Sequence, residues 1–181
     1  NTHGFSVRPI DQYGLAESLG AITPEDFHTT DSNTPSFNDY KTWGADWRLT
    51  GNLNFAHIQL ISAFRSLDTG YLFNTDGTAA PVTDSGFFNK NQQTSHEIRL
   101  ISEQQQNIDW LLGMYYVYER PKQDVELVLY LLNTSSVISA TARTKATSYY
   151  GEFTWHLTPV WSSKFGVRFS DEERQVSNTI L

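Results

Sequence analysis

The chain has 181 residues, 39% apolar and only 18% charged, with a net charge of −7, and this length supports one domain with a sizeable core. The acidic balance and the lack of any Lys/Arg run along the sequence exclude a nucleic-acid footprint as the leading function. The absence of cysteine excludes thiolate zinc sites, a cysteine nucleophile and a disulfide scaffold.

Residues 1–40 read as a long irregular segment of extracellular-loop type. Pro9, Pro24, Pro35 and the run Thr29-Thr-Asp-Ser-Asn-Thr-Pro35 break any periodicity. Thr23-Pro24-Glu25-Asp26 has the pattern of one helical turn, with Thr23 as N-cap and Pro24 in the first position. Residues 41–181 read as a partial β-barrel domain of about six or seven strands. Lys41 to Leu49 alternates, with Trp43, Ala45, Trp47 and Leu49 on one parity and Thr42, Gly44, Asp46 and Arg48 on the other. Thr50-Gly51-Asn52 is the expected turn. A second strand over Leu53–Tyr71 places Ala56, Ile58, Leu60 and Phe64 on the apolar face, though Ile61 and Leu67 break the pattern. Leu72–Gln93 is expected to be a long connection.

Thr94–Arg120 is the clearest hairpin. His96, Ile98 and Leu100 share a parity, and across the short polar turn so do Trp110, Leu112, Met114, Tyr116 and Tyr118. The opposite parity holds Glu97, Arg99, Gly113 and Glu119. Pro121–Lys145 is expected as a second long connection, with Val125–Leu132 open between strand extension and short helix. In the last hairpin Tyr149, Gly151, Phe153, Trp155 and Leu157 face one way, the turn is Thr158-Pro159-Val160-Trp161, and Phe165, Val167 and Phe169 continue the same face.

Turns near Gly51, Gln105 and Pro159 are short and lie about 54 residues apart, with long segments between them. Short and long connections therefore alternate, which puts short turns at one end of an antiparallel up-and-down meander and long loops at the other. Outer-membrane barrels are built on that plan, with an apolar face in lipid and aromatics at the interfaces. The longest apolar run, Leu127–Leu132, is far below the roughly 20 residues a transmembrane helix needs. No signal-peptide pattern opens the chain, and Asn178–Leu181 reads as a strand interrupted in mid-course, so a section of a longer protein is expected.

Chemical motifs are weak. Asp68-Thr-Gly70 matches an aspartic-protease triplet in letters, without a second copy, and a strand-to-loop turn is the simpler reading. Glu97 and Glu152 share a face and could be paired carboxylates of a glycosidase, but Arg99 and Arg168 on that face favour a ladder of opposite charges. Histidines 3, 28, 57, 96 and 156 are never at metal-ligand spacing. Asn74, Asp76 and Thr78 open like a calcium loop, but Ala79 and Ser85 stand where Gly and Glu are needed. No catalytic, cofactor-binding or metal residue is assigned, and no cofactor is expected. The substrate-binding residues stay unassigned, with Tyr71, Phe73, Phe87 and Phe88 as places to look.

Ser95-His-Glu-Ile-Arg-Leu-Ile-Ser102, Asp109-Trp-Leu-Leu-Gly-Met-Tyr-Tyr116, Tyr149-Tyr-Gly-Glu-Phe-Thr-Trp-His-Leu-Thr158 and Phe165-Gly-Val-Arg-Phe-Ser170 resemble consecutive barrel strands of TonB-dependent outer-membrane receptors. The likeness covers Trp47 to Glu173. It implies a 22-stranded barrel closed by an N-terminal plug, in the outer membrane of a Gram-negative bacterium. It further implies a transport receptor, not an enzyme, that takes up a scarce nutrient such as a ferric siderophore with energy passed from TonB. At about 54 residues per hairpin a 22-stranded barrel needs roughly 600 residues, so these 181 are expected to form a middle section. Plug and TonB contact would lie outside it. The alternative from another class is a soluble β-sheet carbohydrate-binding module that uses exposed aromatics.

Overall fold

The computed structural model describes residues 14–21, 32–103 and 107–180. Within them lie a one-turn helix α1 (Leu15–Ser18) and six strands: β1 (Phe37–Asn52), β2 (Ala56–Asn74), β3 (Thr83–Ser102), β4 (Ile108–Leu129), β5 (Thr134–Thr158) and β6 (Trp161–Ile180). They form one sheet in the order β1-β2-β3-β4-β5-β6, each neighbour antiparallel. The fold is all-β and an up-and-down meander, though the expected strict alternation of short and long connections is not seen: residues 130–133 join β4 to β5 with fewer residues than 103–107 join β3 to β4. No helix among the described residues is long and apolar enough to cross a membrane, which leaves β-barrel crossing open.

The strands are longer than expected, and this changes the connections. Leu72–Gln93 is not a long loop: β2 runs to Asn74, β3 begins at Thr83, and only residues 75–82 connect them. Pro121–Lys145 is likewise strand, interrupted by a 3-10 turn at Tyr130–Leu132 and by Asn133 in the left-handed conformation (φ 47°). The polar run Asn89–Gln93 stays extended because each residue is laddered on both sides, to β2 and to β4. Central-strand pairing outweighs the weak strand preference of Asn and Gln. Pro121 is tolerated in a central strand where the β4–β5 ladder lapses: pairing passes from Glu119–Thr144 to Lys122–Thr141 with the register unchanged.

At the short-turn end, β1 continues through Gly51 to Asn52, so the turn falls at residues 53–55, closed by Leu53 N–H donating to the Ala56 carbonyl (2.8 Å). The Pro159–Val160 turn is held by Thr158 Oγ1, which accepts from the backbone N–H of Trp161 (3.0 Å). Asp68-Thr-Gly70 lies inside β2, not in a turn. The helical turn expected at Thr23–Asp26 falls outside the described residues, and so do Gln104–Gln106.

There is no second layer over the sheet among the described residues. Among the described residues the buried apolar side chains are Ala56, Ala80 and Ala142, and no large side chain is fully buried. Soluble domains bury apolar faces between two packed layers. Here large apolar groups stand exposed instead, Phe169 by 67% and Val167 by 75%.

Candidate functional site: a membrane-type band and an inner polar face

The register collects the outward parity into rows. One row runs Leu49–Leu60–Ile98–Met114–Tyr149–Phe169, and the next runs Gly51–Ile58–Leu100–Leu112–Gly151–Val167. Neither contains a charged side chain. Aromatics border these rows on both sides. Toward the short turns stand Trp110, Phe153, Trp155 and Phe165. Toward the far end stand Trp43, Trp47, Phe64, Tyr116 and Tyr118, with the Trp43 and Phe64 rings 4.9 Å apart. Same-face positions from Ile108 to Tyr118 span ten residues, about 34 Å along a strand and about 24 Å vertically at a ~45° tilt. That is close to the ~25 Å apolar band of an outer-membrane barrel. His96 sits in the aromatic border, not the aliphatic centre, on a row that ends in the outward carboxylate of Asp171. Its Nδ1 is 2.7 Å from Ser62 Oγ and its ring stacks near Tyr116.

The opposite face at the same height is polar and linked by hydrogen bonds, though Arg99 Nε is buried without a partner among the described residues. Arg99 Nη2 donates to Glu97 Oε2 (2.7 Å), and the Tyr150 hydroxyl donates to Glu97 Oε1 (2.5 Å). Arg168 Nη2 donates to Ser148 Oγ (3.0 Å). Tyr150 reaches Glu97 because Gly113 lies between them on β4: a Cβ at Gly113 would fall far inside van der Waals contact with the Tyr150 ring. Glu152 pairs elsewhere, with Lys164 Nζ at 2.7 Å. Glu97 and Glu152 are two strands and four residues apart, roughly 17 Å between backbones. The arrangement is the ladder of opposite charges, not two carboxylates flanking a cleft.

Beyond the band the two faces exchange character. The outward parity becomes charged, with Lys41, Lys90, Arg120, Lys122 and Arg143, while the inner row Asn38–Tyr71–Phe87–Val125–Ile138–Ile180 becomes largely apolar. Tyr71, Phe73 and Phe87 form a near-parallel trio on that inner face, at centroid distances of 5.2 to 6.1 Å and interplanar angles of 12° to 16°. Phe88 is on the other parity and fills the space over Gly70 and Gly86. Val125 and Ile138 join the inner row unexpectedly. The alternation of Val125 and Leu127 with Asp124 and Glu126 was the available signal.

A polar knot ties the far-end connections together. Asp84, 3% exposed, accepts from Thr34 Oγ1 (2.6 Å) and the Tyr130 hydroxyl (2.8 Å) at Oδ2, and from Asn74 Nδ2 (3.2 Å) at Oδ1. Asp76, in the loop whose likeness to a calcium site fails at Ala79 and Ser85, accepts from protein donors: Thr78 N–H, Thr78 Oγ1 and Thr83 N–H. Asp84→Ala strips the knot of its acceptor and is expected to weaken the tips by about 1.5–3 kcal/mol, read as faster protease cleavage at residues 75–82 and 130–133. The bond to Asp84 raises the Tyr130 pKa above its ordinary value of 10.0. A raised pKa means the contribution is complete below pH 10.0 and is lost as pH rises through the folded-state value. Protection of the tips is therefore expected to be flat up to that pH and to fall above it, and Tyr130→Phe is expected to abolish the fall.

An open antiparallel meander with this outer band and inner polarity is a section of barrel wall. By comparison of structures, the chain superposes on the ferric yersiniabactin uptake receptor FyuA from Yersinia pestis with a TM-score of 0.58 at 16% identity, over 80% of this chain and 24% of that one. The chain thus spans about a quarter of that receptor, and the likeness shows a shared fold alone: a section of antiparallel β-barrel wall. A NanC porin (TM-score 0.17, 9% identity, 80% of this chain, 96% of that chain) and the membrane pore complex of pneumolysin (0.15, 9%, 81% and 31%) superpose too poorly to bear on the fold. No protein-family model matches the chain, and no curated protein matches it by sequence.

Proposed function

We propose that this chain forms part of the barrel wall of an active-transport receptor in the outer membrane of a Gram-negative bacterium. The observation that carries the reading is the exchange of polarity along the strands: apolar outside and polar inside over a membrane's height, then charged outside and aromatic inside beyond it. A soluble sheet has no reason to reverse its faces at that height, whereas a barrel wall leaving the bilayer does. The transported nutrient is of the ferric-siderophore class, TonB supplies the energy through a part of the protein beyond this section, and the chain performs no catalysis. Tyr71, Phe73 and Phe87 give the upper lumen a planar apolar contact surface for such a ligand. The likeness to a ferric yersiniabactin uptake receptor supports the reading at the level of fold.

Expression of the intact gene, membrane fractionation and gel migration with and without heating test it. A heat-modifiable band in the outer-membrane fraction, together with slower growth of the deletion strain under iron restriction, is the expected result. A soluble monomer that needs no detergent would overturn it and point to the carbohydrate-binding alternative, to be checked by glycan binding.

A further inference from the structure

Six of the 13 Lys and Arg residues of this acidic chain fall in three successive outward rows. Lys145 lies beside Tyr118, the last outward aromatic of β4 in the band. Arg120 and Arg143 occupy the next row, flanked by Gln92 and Gln175. Lys41, Lys90 and Lys122 occupy the third. The same three rows hold only two acids, Glu173 and Asp68. All six cations are exposed.

Their local arrangement is costly without a counter-anion. Lys90 stands directly opposite Lys122 in the β3–β4 register, and like charges so placed repel. Each has one carboxylate neighbour, Asp68 at 3.7 Å and Asp124 at 2.7 Å. Arg120, Arg143 and Lys145 have no ion pair among the described residues. Arg143 and Lys145 line a notch of about 110 Å³ with Tyr118, Glu173 and Gln175. The notch therefore opens sideways at the height of the aromatic border, not into the lumen and not at the strand tips.

We propose that this ribbon, centred on Arg120, Lys122, Arg143 and Lys145, docks the phosphorylated head groups of lipid in the leaflet beside the far end of the barrel. The assignment rests on the barrel-wall reading, which sets the ribbon at the depth of the head groups. Charge complementarity selects phosphate, since guanidinium pairs bind it in a bidentate fork. Position selects lipid over a free anion: the side chains flank Tyr118, against which the upper acyl chain or sugar of a membrane lipid rests. Head-group phosphates attract such a cluster by about fivefold in affinity per cation.

The test uses the intact gene product in detergent and native mass spectrometry with three probes: a bis-phosphorylated glucosamine-disaccharide lipid, the same lipid dephosphorylated, and inorganic phosphate. The parent is expected to hold the phosphorylated lipid and not the dephosphorylated one. Arg120→Gln/Lys122→Gln/Arg143→Gln/Lys145→Gln is expected to weaken binding about 600-fold, and the Arg120→Lys/Arg143→Lys variant, which keeps the charge but loses the bidentate fork, to bind with an affinity between those of the parent and the Gln variant. Heat-modifiable migration checks that each variant is folded, and the Lys variant serves if the Gln variant is not. Equal affinity of parent and Gln variant, or of the two lipids, would overturn the proposal, as would displacement by inorganic phosphate at equal concentration. A parent that extracts without detergent would instead sink the barrel-wall reading itself.

Discussion

On the proposed barrel-wall reading, Met114→Arg is expected to destabilise the protein in lipid by about 2–4 kcal/mol, while Tyr118→Arg is expected to cost no more than about 1 kcal/mol. Both positions are outward on β4, four residues apart. Met114 lies in the row Leu49–Leu60–Ile98–Met114–Tyr149–Phe169, at the middle of the aliphatic rows. A guanidinium there is roughly a half-bilayer from either interface. At position 118 it stands beside Lys145 and below Arg120, where the surface is already wet and cationic. Denaturant unfolding of the intact protein in lipid vesicles measures both. The contrast is diagnostic because a soluble sheet predicts none: in water Met114 is already 37% exposed, and an arginine at such a site is close to neutral. Equal small costs at the two positions would therefore count against the membrane reading as strongly as a fractionation result.

The parts of this fold legible in the sequence are those where the two faces face different solvents. β4 from Trp110 to Tyr118 and β5 from Tyr149 to Leu157 alternate cleanly because lipid-type and lumen-type surroundings demand opposite side chains at successive residues. The carboxylate–cation ladder at Glu97 and Arg99 was legible for the same reason. Tyr150 as its third member was not, since only the register shows that it lies over Gly113. Above the band the chemical contrast between the faces weakens and then reverses. Asn89–Gln93 thus resembles loop sequence while forming ladder on both sides, and Ser135–Thr141 does so while paired throughout with β4 and from Ile138 with β6 as well. Gly51 misled in the other direction. A glycine between Thr and Asn resembles a turn, yet here it occupies an outward row against Ile58. The Asp84 knot joins Thr34, Asn74 and Tyr130 across 96 positions of sequence, and no local pattern signals it.

Gly113→Ala is expected to cost about 1–3 kcal/mol despite adding a single methyl group. The inner face at this point is one interlocked unit. The Tyr150 ring occupies the space a Cβ at Gly113 would take, and from there its hydroxyl donates to Glu97, which also accepts from Arg99. A methyl at position 113 pushes the ring outward. The rigid ring cannot fold away as a flexible chain would, so the Glu97 contact is lost with it. Tyr150→Ala in the parent removes the same hydrogen bond and leaves a groove over Gly113. In a double-mutant cycle the two losses are not additive: with the ring gone the added methyl has room, and the coupling is expected to be about 1–3 kcal/mol. Tyr150→Phe separates the two effects. It keeps the ring over Gly113 and deletes only the hydroxyl, so Gly113→Ala remains costly in that background. Unfolding of the variants in vesicles, read by Trp fluorescence and by heat-modifiable migration, gives the cycle. Additive losses would mean that Tyr150 and Gly113 act independently, and the inner ladder would then be a set of separate pairs instead of a unit keyed by one glycine.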